Sequence, residues 1–245
     1  MKSPEQLLAK VMNHLADRMK DKLILKGGML LRLHNSPRST QDVDYVWISK
    51  DSKKGLGKEI EKVLIGLDGI EVESTEVNAR GVFVDLVDSV SGERALLEIE
   101  VRSETQLPSE PMSTGPLSAR YALGARIIAT MALPEAFAHK IAATLERDVA
   151  RDLYDLSQMQ ALSSWDEATL IDRLREVSVN RAKPKALTPR QAAELLAKQL
   201  EKLDQKRLEQ ELYPLLPAEY RAGVLSLIRA GVTRIIDRLS SSPGV

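Results

Sequence analysis

The sequence predicts an α/β (α+β) domain over residues 1–125 followed by an α-helical domain over residues 126–245. Three observations carry this. A strand-like run, Leu23-Ile24-Leu25-Lys26, ends in Gly27-Gly28 and passes directly into a helix-like run. From Ile70 to Val101 apolar residues recur with a period of two, as in strands whose side chains alternate between faces. Beyond Leu133 the period is helical, with Pro184, Pro189, Pro214 and Pro217 separating the segments.

In chain order, Ser3-Pro4-Glu5-Gln6 reads as a helix start, with Ser3 as N-cap, Pro4 at the first helical position and Gln6 closing a capping box. Leu7, Leu8, Val11, Met12, Leu15 and Met19 then form one apolar face. After the glycine pair, Met29, Leu30, Leu31 and Leu33 give a brief helix. Asp42 to Ile48 is rich in β-type residues and reads as a second strand. Leu56, Ile60, Val63, Leu64 and Leu67 mark a helix that stops near Asp68-Gly69. Runs around Val72 to Val77, Val82 to Val87 and Ala95 to Val101, with a turn at Ser91-Gly92, predict antiparallel strands. Pro108, Pro111 and Pro116 predict a loop between Glu104 and Ala119.

Composition narrows the function. With 43% hydrophobic residues among 245, the chain has material for a buried core without staples. It has no cysteine, which excludes disulfides, thiolate nucleophiles and zinc held on sulfur and suits a reducing cytoplasm. No continuous apolar run suggests a signal peptide or a spanning helix, so no membrane partner is expected. Lys plus Arg equal Asp plus Glu at 35 each, so contact with nucleic acid has to come from a local patch. Arg173, Arg175, Arg181, Lys183, Lys185 and Arg190 are the candidates for one. Few aromatics leave little for base-stacking platforms, and His14, His34 and His139 are too scattered for a compact metal site.

The residues that carry chemistry begin at Lys26-Gly27-Gly28. Glycines at a strand-to-helix join let a phosphate approach the backbone, where helix N–H groups favour an anion. A tight turn is the plainer use of such a pair. Arg38-Ser39-Thr40-Gln41-Asp42-Val43-Asp44 follows. On a strand, Asp42 and Asp44 point to one face with Cα atoms roughly 6.5–7 Å apart. Two carboxylates so placed repel unless a cation joins them, and hard divalent ions such as Mg²⁺ or Mn²⁺ take these oxygens. A phosphate cradle beside a metal pair suits nucleotidyl transfer from an NTP. A solvated Asp-x-Asp turn is the alternative. A third carboxylate is expected from a neighbouring strand: Glu98 and Glu100 share a face, Glu100 is favoured, and Asp85 and Asp88 compete. A second stretch carries Lys140 and Arg147, seven apart on one helix face, then Arg151, Asp152 and Asp155. These suit either triphosphate oxygens or a structural salt-bridge cluster.

Together the two stretches resemble the AbiEii/AbiGii-type nucleotidyltransferase toxins of type IV toxin–antitoxin systems. The resemblance spans residues 23–160 and rests on Lys26-Gly27-Gly28 with Leu30 and Arg32, on Arg38, Ser39 or Thr40, Asp42 and Asp44, and on Lys140, Arg147 and Arg151 to Leu156. It implies a DNA polymerase β-like nucleotidyltransferase domain with a mixed sheet, an appended helical domain, and a growth-arresting activity with tRNA as acceptor in some members. It implies Mg²⁺ on Asp42 and Asp44, phosphate at Gly27 and Gly28 and on Lys140, Asp152 as an active-site acid, and a cognate antitoxin as partner. Arg151 and Asp155 look like helix anchors. The chain departs at Met29, where the family carries a small hydroxyl residue, and at Glu98 and Glu100, where aspartate is more usual. The alternatives to an RNA-modifying enzyme are a binding protein of the same fold without catalysis, and nucleotidylation of protein, including itself.

Overall fold

The computed structural model describes residues 4–48, 52–102, 105–175, 177–179 and 185–242, which form two units, 1–132 and 133–245. The first extends past residue 125 because Ile127–Thr130 is a strand of its sheet.

The first unit begins with α1 (Glu5–Met19), whose predicted apolar face is buried. Ser3, on which the expected capping box rests, lies outside the described residues; Pro4 occupies the cap position and makes no side-chain cap. Then come β1 (Leu23–Lys26), α2 (Gly27–Leu33), β2 (Asp42–Ile48), α3 (Lys53–Leu64), β3 (Ile70–Val77), β4 (Gly81–Asp88) and β5 (Arg94–Arg102). Two strands fall where a loop and a helical domain were expected: β6 (Glu110–Ser113), followed by the short helix α4 (Gly115–Ser118), and β7 (Ile127–Thr130). Pro111 sits inside β6 without penalty because β6 is an edge strand and its outer side needs no ladder donor.

The seven strands form one mixed sheet in the order β3-β4-β5-β2-β1-β7-β6. β2 pairs antiparallel with β1 but parallel with β5, and β1 pairs parallel with β7. Alternation divides the sheet into two faces. Leu25, Val43, Tyr45, Trp47, Val82, Val84, Leu97 and Ile99 are all buried on one. α3 packs here so tightly that a Cβ on Gly57 would lie 3.0 Å from Val77. His14 on α1 meets the Val63 carbonyl of α3 at 2.8 Å, a packing role. Arg32 on α2 forms a buried ion pair with Glu5 on α1, and Tyr121 donates to the same carboxylate at 2.6 Å. Burial raises the Glu5 carboxyl, but these partners outweigh it and hold it below its usual range.

The second unit is helical: α5 (Leu133–Arg147), α6 (Ala150–Leu162), α7 (Glu167–Leu174), α8 (Pro189–Glu201), α9 (Gln205–Glu211) and α10 (Val224–Ser241). Their starts are written locally. Thr188 and Gln191 form a capping box ahead of Pro189, and Asp166 and Asp204 cap α7 and α9. Gly231 lets α10 lie against α6, since a Cβ there would come within 2.7 Å of the Ser157 Cβ.

Candidate active site

The other face of the sheet holds the carboxylates. Period two puts Asp42 and Asp44 together on β2, both half-buried. Register then decides which neighbours they have. Lys26 on β1 stands opposite Asp44, and across the parallel pair Leu96 stands beside Asp42, Glu98 beside Asp44 and Glu100 beside Val46. The acid that the register sets next to the aspartates is therefore Glu98.

Glu100, favoured from sequence as a metal ligand, has its two oxygens on other partners. Lys26 Nζ lies 2.5 Å from one and Arg102 Nε 2.7 Å from the other. Burial alone would raise this carboxyl, but the two cations and their hydrogen bonds bring it down to about 2. Geometry thus supports Glu100 as the anchor of Lys26 and Arg102. Asp88 lies on the opposite face, where it binds Lys10 at 3.2 Å and accepts the Val90 and Ser91 N–H groups. Asp85 shares the carboxylate face but belongs to β4, two strands from β2, and accepts from Ser74.

Exchanging Glu100 for Gln is expected to destabilise the protein by roughly 2 kcal/mol near neutral pH, because two partly buried cations lose their counter-charge. A carboxyl near 2 in the folded state and near 4.5 unfolded contributes fully above about 4.5 and loses its contribution as pH falls toward 2. Urea unfolding of wild type and Glu100→Gln between pH 7 and pH 3 should show the gap closing below pH 4.5. A gap that is constant with pH would show that the loss is one of packing.

The glycines are shaped around the aspartates. Gly27 has φ +69°, and a Cβ there would lie 2.0 Å from Asp44 Oδ2 and 2.7 Å from its Cγ, so the carboxylate of Asp44 occupies the space a side chain would take. A Cβ on Gly28 would lie 2.9 Å from Thr40 Oγ1 and 3.2 Å from Arg38 Nη2. Thr40 donates to Asp42, and Arg38 donates to the Ser39 carbonyl at 2.9 Å; both side chains are buried. Strand end, helix start and loop thus meet at one point. Met29 is fully buried, so its side chain belongs to the core, and the hydroxyl standing against the glycines comes from Thr40. Sequence reading left Ser39 and Thr40 open.

The second cluster belongs to the helical unit. Lys140 on α5 contacts Asp155 at 2.8 Å and Asp152 at 3.2 Å on α6, while Arg147 forks onto Asp152 at 3.0 and 3.2 Å. Asp152 and Asp155 are buried, whereas 42% of the Arg147 side chain is exposed. Asp152, expected from the resemblance as an active-site acid, has Lys140 and Arg147 on its oxygens. Of the basic residues further on, Arg173 meets His139 at 2.8 Å, Arg175 pairs with Asp172 and Arg190 with Glu194, while Arg181 and Lys183 lie outside the described residues.

Among the described residues no three His, Asp or Glu side chains converge to hold an ion by themselves. Two oxygen donors still fit a hard divalent ion that shares its shell with substrate phosphate and water, the usual manner of Mg²⁺. No helix among the described residues is long and apolar enough to cross a membrane.

No curated protein matches the chain. Among solved structures it is similar to MenT4, a nucleotidyltransferase toxin from Mycobacterium tuberculosis H37Rv, with a TM-score of 0.64 and 22% identity over 97% of this chain and 86% of that one. It is also similar to a putative nucleotidyltransferase from H. pylori, with a TM-score of 0.51 and 17% identity over 96% of this chain and 94% of that one. JHP933 from Helicobacter pylori matches with the same score and identity, over 96% and 91%. The family model described as nucleotidyl transferase AbiEii toxin, type IV TA system, matches residues 10–225. The chain therefore belongs to the AbiEii nucleotidyltransferase toxins of type IV toxin–antitoxin systems.

Proposed function

We propose that this nucleotidyltransferase moves a nucleotide from an NTP to an RNA acceptor, with tRNA the first acceptor to test, and that Asp42 and Asp44 hold the Mg²⁺ or Mn²⁺ it works with. The observation that carries the reading is the fit of the Asp44 carboxylate into the space left open by Gly27, which ties the acids to the glycine turn. A divalent ion bound there would neutralise charge developing on the phosphoryl group and leaving pyrophosphate. The chain's own residues do the rest by positioning and electrostatics. Gly27 and Gly28 bring backbone close to the phosphates, with the Thr40 hydroxyl and the Arg38 guanidinium directly behind them. Lys26, fixed by Glu100, adds positive charge opposite Asp44. Lys140 and Arg147 are the phosphate-binding cations of the helical unit, with Asp152 acting through them; the partly exposed, forked guanidinium of Arg147 supports this. Membership of the family brings an antitoxin protein as partner, whose absence releases growth arrest.

The test is to incubate the purified protein with total RNA, Mg²⁺ and each α-³²P-labelled NTP in turn, and to resolve RNA and protein on gels. Label in an RNA of tRNA size, lost with EDTA, is the expected result. Label in protein alone would replace the acceptor. No label anywhere from folded protein would leave a binding protein of this fold.

A further inference from the structure

The sheet carries a second feature on its carboxylate face. A pocket of about 440 Å³ opens on the strands next to β2, lined by Phe83, Leu96, Asn78, Arg80 and the two acids Glu76 and Asp85. Register fixes its place: Asp85 pairs with Leu96, which pairs with Asp42, and Phe83 pairs with Glu98, which pairs with Asp44. Neighbouring strands lie about 4.8 Å apart, so the pocket begins one strand from the aspartates, at Leu96 on β5, and its far edge at Glu76 on β3 lies about 14 Å away. Across the sheet the order is pocket, Glu98, the two aspartates, then Lys26 and the glycines.

That order matters for an in-line displacement. If pyrophosphate leaves toward Gly27 and Gly28, the attacking hydroxyl has to approach from the opposite side, where the pocket lies. We propose that this pocket seats the terminal nucleoside of the RNA acceptor, its base on the Phe83 ring and its backbone phosphate at Arg80. The proposal rests on the nucleotidyl transfer reading above. In the transfer, the acceptor hydroxyl oxygen forms a bond to the α-phosphorus as the bond to the β-phosphate breaks. Pyrophosphate departs on the glycine side, and the hydroxyl proton passes to solvent water.

The lining suits this occupant. The volume is in the range of small-ligand sites, roughly 300–1,000 Å³. Phe83 is half-buried and lines the pocket, and unstacked RNA ends are recognised by stacking on aromatic rings with hydrogen bonds to base edges. Asp85 offers a carboxylate to base N–H groups, and the amide of Asn78 is held at the rim by hydrogen bonds to Glu76 and from the Arg80 N–H. Lys53 on α3 donates to the Ala79 carbonyl and so pins the β3–β4 turn that carries these groups.

Two readouts test the proposal. The first is binding of a short single-stranded RNA, with EDTA and no NTP, followed by fluorescence anisotropy in wild type, Phe83→Ala and the exposed-site variant Arg80→Glu. Affinity should fall about tenfold or more in each. A 3′-terminal 4-thiouridine on the same RNA should crosslink to the peptide containing Phe83. The second is steady-state transfer, in which KM for RNA should rise in both variants while KM for NTP holds. Unchanged RNA affinity with crosslinks elsewhere would overturn the pocket while leaving transfer intact. A rise in KM for NTP alone would assign the pocket to the NTP base, and label in protein without RNA binding would also overturn it. Absence of transfer in wild type with RNA bound at Phe83 would fault the enzymatic reading and keep the site.

Discussion

Replacing Asp44 with Asn is expected to slow nucleotidyl transfer by about a thousandfold or more while the protein stays folded. The loss corresponds to about 4 kcal/mol of transition-state stabilisation, the scale of removing one charged ligand from a metal-assisted phosphoryl site. The amide keeps the size of the carboxylate, so the fit over Gly27 survives and stability should change by less than about 1 kcal/mol. Asp42→Asn should behave alike, since its amide oxygen still accepts from Thr40 while the charge is lost. Asp88→Asn, on the helix-covered face, should leave transfer intact. Single-turnover rates with labelled NTP, alongside urea unfolding, make the measurement. An Asp44→Asn protein that transfers at the wild-type rate would remove the aspartates from the site.

Gly27→Ala should cost nearly as much activity by a different route. A non-glycine residue at φ +69° is strained by about 1–2 kcal/mol, and its Cβ would stand 2.0 Å from Asp44 Oδ2. The aspartate has to swing out of place, so kcat should fall at least about a hundredfold, as misplaced reacting groups do. Unlike Asp44→Asn, this variant should also lose roughly 2 kcal/mol of stability. Gly28→Ala meets the Thr40 side chain at 2.9 and 3.1 Å, and should be milder because that side chain has a rotamer to yield. Equal effects of the two would mean that closeness to Asp44 is not what Gly27 provides.

The parts of this fold that are legible in sequence are those written locally. β2 is announced by Val43 and Tyr45 alternating with the aspartates and by the β-type run Val46-Trp47-Ile48, and α1 by its apolar face. The glycine turn and Asp42-Val43-Asp44 are contiguous enough to read as one site. β6 and β7 are hidden because each has four residues, too few to show a period, and because Pro111 reads as a breaker unless its strand is known to be at an edge. The choice between Glu98 and Glu100 is also hidden. Both lie on the same face of one strand, and only the parallel register with β2, a contact between distant segments, sets Glu98 beside Asp44 and turns Glu100 toward Lys26 and Arg102. Likewise Thr40 rather than Ser39 meets Asp42 because of the loop's path, which composition does not reveal.

The parallel pairings have a consequence for the life of the chain in a cell. Ile24 pairs with Ala129, and Asp44 with Glu98, so the strand carrying the aspartates and the one beside it are completed by segments made much later. Such long-range pairing folds slowly, since loop closure comes before any contact rewards it. On the ribosome the pairing that sets Glu98 beside Asp44 has to wait until β5 has emerged, so the acids of the site come together only long after the aspartates themselves have been made.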